Sequence, residues 1–254
     1  GSILHPYMKH NHYTTLITAF TLLALTTVAQ NTVGGVKAIV PQKEVERQSA
    51  FLNAERDRML GQYDKALESY KKFLYDNPEE DAAWYGLART YVAQSDFANA
   101  LDAISKAVEK APDNQWYTIY QADIFQKTGR IKDAITAYER LVKRQPQAPE
   151  FQQQLAYLYV LNGDPKSGLK ALDKLEELQG VKPELSEKKH LIYIGMGDNK
   201  KAAAEYQKLI AAFPDEIEYR YHLADFYERI GDAAAARPRH ALAGHVRRHR
   251  PRHP

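Results

Sequence analysis

The landmarks of this chain recur every 34 residues without an insertion across most of its 254 residues. Gly61-Gln62-Tyr63 is followed by Ala66, Tyr70, Phe73 and Pro78. In the same steps, Ser95-Asp96-Phe97 leads to Ala100, Ile104, Ala107 and Pro112, and Gly129-Arg130-Ile131 to Ala134, Tyr138, Leu141 and Pro146. Gly163-Asp164-Pro165 opens a weaker copy, with Gly168, Leu172 and Leu175, and with Gly180 where proline stood. Gly197-Asp198-Asn199 restores the pattern through Ala202, Tyr206, Leu209 and Pro214, and Gly231-Asp232-Ala233 with Ala236 closes the series. A fixed period of this size means stacked supersecondary units, none of which buries its apolar face alone.

Within a unit the apolar positions fall three and four apart, which is the spacing of amphipathic helices and not of strands. Upstream of the glycines, Leu87-Ala88 with Tyr91, Leu155-Ala156 with Tyr159, and Leu223-Ala224 with Tyr227 hold equivalent slots. Each unit therefore reads as helix, Gly-Asp-type turn, helix and proline-ended turn. The glycine supplies the positive φ that ends the first helix, and the proline stops the second. A small Ala early in the second helix lets the pair approach closely. The fourth unit, with Pro165, Gly168 and Gly180, departs most, so its second helix is expected to be displaced.

These positions resemble the tetratricopeptide repeat. The stretch WYGLARTYVAQSDFANALDAISKAVEKAPDN, Trp84 to Asn114, is close to a consensus unit. The resemblance covers residues 47–236, divided as 47–80, 81–114, 115–148, 149–182, 183–216 and a partial 217–236. It implies an all-α fold, a right-handed α-solenoid of about six helix-turn-helix repeats. The LGQYDKALESYKKFLYDNPEE opening, behind a leader, is similar to exported repeat proteins of Bacteroidetes-type bacteria.

The two ends differ from the middle. Residues 1–7 precede Met8 and read as a cloning remnant or upstream extension. Residues 8–29 have the grammar of a secretory signal peptide: Lys9, His10 and His12, an apolar run from Leu16 to Val28, and small residues before a cut at Gln30. A retained anchor is the alternative, although this run is shorter than the roughly 20 residues of a bilayer span. Residues 30–46 read as a linker and helix start, with Pro41 suited to the first turn. The last 18 residues carry six Arg, four His and no acid, which leaves residues 1–236 with 29 basic against 32 acidic side chains. The basic balance of the whole chain therefore belongs to residues 237–254, and no nucleic-acid partner is expected. That tail replaces the second helix of the sixth unit. It reads as non-native, from a shifted frame or read-through, or else as a basic interaction tail. An array left open there is expected to self-associate.

Candidate chemistry is sparse. The sequence has no cysteine, which excludes disulfide scaffolds and thiolate chemistry. His245, His249 and His253 are spaced as an adventitious metal ligand set, but Pro251 interrupts them. His190 and His222 have no adjacent nucleophile or orienting partner in sequence, and both read as packed or surface histidines. Gly195-Met196-Gly197 ends a helix and is not a nucleotide loop. No enzyme motif, cofactor or metal site is expected.

In the family resembled, the first helices line a concave groove, and their positions two, five, six, nine and twelve face a ligand. On this chain that face carries Phe51 and Glu55, then Tyr85 and Arg89, then Trp116, Tyr120 and Asp123. It continues with Gln153, Gln154 and Tyr157, with Glu187 and Lys188, and with Tyr221, His222 and Asp225. Aromatic and Arg side chains are the usual interface anchors. The expected groove is therefore Tyr85, Arg89, Trp116, Tyr120, Asp123, Gln154, Tyr157 and Tyr221, with some rings packing between neighbouring helices instead. The family's Lys/Asn/Arg clamp for terminal carboxylates is not reproduced. The resemblance implies a non-enzymatic scaffold for a peptide or protein partner, exported to the periplasm or cell envelope, where a membrane-associated complex is one setting. The alternative is a sensory or regulatory ectodomain of a longer chain.

Overall fold

The computed structural model describes residues 41–231, and these are helical, with no strand among them. Eleven helices follow one another: α1 (Gln42–Met59), α2 (Tyr63–Asp76), α3 (Asp81–Ala93), α4 (Phe97–Lys110), α5 (Gln115–Lys127), α6 (Ile131–Arg144), α7 (Pro149–Leu161), α8 (Pro165–Gln179), α9 (Pro183–Gly195), α10 (Asn199–Ala212) and α11 (Glu218–Arg229). The leader, the basic tail and the spaced histidines 245, 249 and 253 lie outside the described residues. The chain divides after Ala50. Up to that point the described residues are Pro41 and the opening of α1, where the Arg47 guanidinium donates to both Glu44 oxygens at 2.8 and 2.7 Å.

From Phe51 onward the odd-numbered helices are the first helices of the repeats and the even-numbered ones their partners. From α2 to α11 each helix packs on the next in chain order, which makes the array an α-solenoid of helix-turn-helix units. The turns explain why the period is so strict. Gly61 has φ 74°, Gly129 73°, Gly163 79° and Gly197 75°. After each, the next N–H reaches back five residues: Gln62 to the Asp57 carbonyl, Arg130 to Phe125, Asp164 to Tyr159 and Asp198 to Tyr193, at 2.8–2.9 Å. This is the Schellman closure of the first helix. The following Asp then opens the second helix, as Asp96, Asp164 and Asp198 accept the amide N–H of Asn99, Ser167 and Lys201 at 3.0–3.2 Å. At the far end, the proline ring pushes the preceding residue out of helical backbone. Asn77, Ala111, Gln145 and Phe213 all adopt φ between −129° and −133°.

The core lies between paired helices. Ala66, Ala100, Ala134 and Ala202 are fully buried at the helix–helix contact, and Tyr70, Ile104, Tyr138 and Leu172 fill the next turn. The expected displacement of the fourth repeat's second helix is not found. Pro165 starts α8 at its first turn, and Gly168 draws the pair together: a Cβ there would lie 2.6 Å from Val160 Cγ2 and 3.1 Å from the Ala156 carbonyl oxygen. The irregularity falls one step later. The α8–α9 junction is the sparsest contact between successive helices from α2 onward.

That junction also breaks the core pattern. Where other first helices carry Leu-Ala, Gln-Ala or, on α1, Asn53-Ala54, α9 carries Lys189-His190. Both are buried. The Lys189 ammonium lies 2.5 Å from Asp173 and also donates to Glu176, both on α8. Lys208 on α10 joins Glu176 and Glu205 at 3.0 Å. His190 is a packed histidine: its Nδ1 lies 2.8 Å from the Ala202 carbonyl oxygen, and its ring meets Tyr206 and Phe226 edge-on.

Candidate functional site

Each first helix buries one face against its neighbours and leaves a stripe uncovered, and the stripes of successive repeats stand in register. Residues three, four and three apart share one side of a helix. On α3 the stripe is Ala82, Tyr85, Arg89 and Val92, and on α5 it is Trp116, Ile119, Asp123 and Gln126, with Tyr120 alongside. On α7 it is Glu150, Gln153, Tyr157 and Val160, on α9 Glu184, Glu187, Leu191 and Ile194, and on α11 Glu218, Tyr221, Asp225 and Glu228.

Over α1, α3 and α5 these side chains form one cluster. Tyr85 stacks obliquely on Tyr117 with centroids 5.0 Å apart and meets Tyr120 edge-on at 5.3 Å. Such ring pairs hold two first helices side by side. Tyr117 is buried and donates its hydroxyl to Asp81 at 2.7 Å. Arg89 lies with its guanidinium carbon 5.5 Å from the Tyr85 centroid. Among the described residues it has no hydrogen-bonding or ion-pair partner, although it is half-buried. On α1, Arg58 binds Glu55 at 2.7 Å, while its Nε–H is buried without a partner. Glu55 also accepts the hydroxyl of the fully buried Tyr70. Burial, reinforced by the Tyr85 hydroxyl, pushes Tyr120 up to about 12, and burial likewise raises Tyr85, so both stay neutral donors. The neighbouring Arg89 and Arg58 charges act to lower both hydroxyls, and Asp123 acts to raise them. The arrangement is a half-buried guanidinium with unused N–H groups beside protonated tyrosines. It can donate hydrogen bonds to carbonyl or carboxylate oxygens and offer ring faces to apolar groups.

Of the residues read from sequence, Tyr85, Arg89, Tyr120 and Asp123 come together here. Trp116 stands at the start of α5, about half exposed at 51%. Gln154 reaches back from α7 to Gln126 at 3.5 Å. Tyr157 is exposed on α7, and Tyr221 lies on α11, two repeats beyond. Sequence reasoning missed Tyr117, Arg58 and Tyr70, which support the cluster from inside. It also missed Leu191, Ile194 and Val160, which stand exposed on the same stripes. Carrying the three-four-three register through positions nine and twelve of every unit would have found those three. His222 was mapped to this face, and its ring stacks on Tyr206 at 5.6 Å and an interplanar angle of 4°.

A concavity of about 440 Å³ opens between α4, α5 and α6. Ser105, Gln121, Phe125, Thr136 and Arg140 contribute to its wall. Gln121 spans it, donating to Ser105 at 2.9 Å and accepting from Arg140 at 3.2 Å, so its polar groups are largely satisfied among themselves.

A stack of helix pairs with Schellman-closed turns and an uncovered first-helix face defines a helical repeat protein with an extended lateral surface. The family model for the tetratricopeptide repeat matches residues 53–115, 121–180 and 191–243, and the chain belongs to that family. Solved structures share the fold. One is of MamA protein, 18% identical, covering 68% of this chain and 96% of that one, with a TM-score of 0.53. Another is a tetratricopeptide repeat protein from Parabacteroides merdae, also 18% identical, covering 76% of both chains at 0.53. A third is YrrB, described as having an unusual peptide-binding site, 19% identical over 71% of this chain and 95% of that one, at 0.51. No curated protein sequence matches the chain significantly.

Proposed function

We propose that the chain is a non-enzymatic scaffold that holds a peptide or protein segment along the uncovered face of its first helices, with Tyr85, Arg89, Trp116, Tyr120, Asp123, Gln154, Tyr157 and Tyr221 in contact with the partner. One observation carries the reading: the half-buried Arg89 guanidinium, without a hydrogen-bonding or ion-pair partner among the described residues, beside the Tyr85 and Tyr120 rings. A guanidinium whose N–H groups reach only water can exchange that water for a ligand oxygen in a charge-assisted hydrogen bond. Aromatic and Arg anchors in a partly desolvated setting are where interface energy concentrates. Family membership supports the reading, as does the peptide-binding site described for the similarly folded YrrB. The Met8–Ala29 segment supports an exported form working in the periplasm or cell envelope.

The test is selection from a random peptide display library on the wild-type chain, followed by affinity measurement of the selected peptides. An Arg89→Ala, Tyr120→Ala double variant should lose about 2 kcal/mol or more of binding, at least thirtyfold, with its helical circular dichroism unchanged. Equal affinity for both forms would remove this face from the function. For export, N-terminal mass analysis of the protein from its own cells should find Gln30 first. Intact Met8 in the cytosol would contradict it.

A further inference from the structure

Beyond the Arg89 cluster the uncovered face changes character. On α7 and α9 the stripes end in Tyr157, Val160, Leu191 and Ile194. These are 53%, 39%, 65% and 37% exposed and are joined by Leu161 at 51%. Isolated exposed apolar residues mean little, but several on two successive first helices, at equivalent positions, form a patch of the kind that marks an interaction surface.

The rim of this patch is acidic. At the N-terminal ends of the same stripes stand Glu150 on α7 and Glu184 and Glu187 on α9. All three are exposed and make no hydrogen bond or ion pair among the described residues. Glu218 follows one repeat on, its only ion pair a 3.5 Å contact with His222. The Tyr219 hydroxyl is raised by partial desolvation and then by the charges of Glu216, Glu187, Glu218 and Glu184. Lys182, just before α9, and Lys188 are the exposed cations beside them on this helix. Helix-dipole complementarity accounts for a carboxylate in each first turn. It does not account for the aliphatic side chains that continue the same stripes into water.

We infer that this half of the face takes a basic amphipathic segment of a partner protein, its Leu-, Ile- or Val-type side chains on Tyr157, Val160, Leu191 and Ile194 and its Lys or Arg groups against Glu150, Glu184 and Glu187. The inference rests on the groove reading above and names the chemistry of its occupant. Charge complementarity selects it. An acidic segment would bring like charge onto unpaired carboxylates, and a purely basic one would leave the aliphatic patch wet. Apolar anchors on a helix face with charges flanking them are how amphipathic segments are recognised in grooves, and rim charges then set partner choice.

Three labelled peptides of equal length test it by fluorescence anisotropy on the full chain: one of Leu and Lys in amphipathic order, its Leu/Glu counterpart, and one of Ser and Lys. The Leu/Lys peptide should bind about tenfold or more tighter than either other. Leu191→Asp with Ile194→Asp should weaken it about tenfold, as should Glu184→Lys with Glu187→Lys. Affinity should also fall as salt rises. Tyr75→Ala, on the exposed side of the second helix α2, should leave this peptide unaffected, and the display-selected peptides report on the Arg89 site separately, which distinguishes failure here from failure there. Preference for the Leu/Glu peptide, or indifference to the Glu→Lys pair, would overturn the proposal while leaving the groove in place. Binding of none of the three would overturn it too, and with no display-selected binder either, the groove reading would fall with it. A dimer abolished by the Leu191 and Ile194 changes would assign the patch to a second copy. Tighter peptide binding after Arg247, Arg248, Arg250 and Arg252 are replaced by Ala would assign it to the chain's own tail. Either result would overturn the proposal.

Discussion

Tyr70 crosses Gly86 so closely that a Cβ on the glycine would lie 2.5 Å from the tyrosine Cζ and hydroxyl oxygen. The ring is fully buried there, its hydroxyl held by Glu55, so it has nowhere to retreat. Gly86→Ala should therefore overpack the α2–α3 contact and cost about 1–3 kcal/mol in urea unfolding. Ala100→Leu and Ala134→Leu, at fully buried contacts between paired helices, should cost a similar amount. A Gly86→Ala protein as stable as the wild type would show that this contact is loose.

Ser95 sits where the other repeats place glycine, and its φ is 61°. Left-handed backbone costs an L-residue roughly 1–2 kcal/mol, part of which glycine gives back through its freer unfolded chain. Ser95→Gly should raise the unfolding free energy by about 0.5 kcal/mol, seen as a higher urea midpoint with an unchanged slope. A lower midpoint would mean that the serine hydroxyl contributes more than its backbone strain.

Lys189 is the main electrostatic tie across the sparse α8–α9 junction, donating to Asp173 and Glu176. Lys189→Met removes one partner of a buried network and should cost about 3 kcal/mol, the low end for such losses because Lys208 still faces Glu176. Since repeat arrays open at their weakest interface, amide exchange in α9–α11 should accelerate together while α3–α6 stay protected. Uniform acceleration along the array would contradict a local weak point.

The same network sets a pH window. At Glu176 burial acts to raise the carboxyl, but hydrogen bonds from Lys189 and Lys208 outweigh it and hold it below 4.5. Its contribution is present above the unfolded value and is lost as pH falls through the folded one. At Lys189 burial acts to lower the ammonium, but Asp173 and Glu176 raise it above 10.5. Its contribution is present below that value and is lost as pH rises through the raised one. Stability from this bridge should therefore be flat from about pH 5 to 9 and decline below about pH 4. Glu176→Gln should flatten the acid limb of the urea midpoint; an unchanged limb would place the titration elsewhere.

The period, the helix pairs and the turn chemistry were legible because each is local. A Gly-Asp pair closes one helix and caps the next within a few residues, and a proline stops a helix wherever it stands. Half of the candidate site was legible for the same reason, since Tyr85, Arg89 and Tyr120 occupy fixed steps of the repeat. What escaped depends on neighbours on another helix. Gly168 reads as a defect in sequence, yet it lets α8 close on Val160. Lys189 reads as a surface residue until Asp173 and Glu176 are brought around it. Leu191 and Ile194 look like core residues until α9 turns its other face, with Leu185 and His190, inward.

Photo-crosslinking tests the central claim, that the first-helix face is the binding surface, most directly. Benzoylphenylalanine would replace Tyr157 on α7 in one protein and Tyr75, 88% exposed on the second helix α2, in another. With a peptide selected from the display library, irradiation should crosslink the Tyr157 position efficiently and the Tyr75 position at background. Crosslinking from Tyr75 alone, or equally from both, would contradict the account and move the binding surface to the second helices.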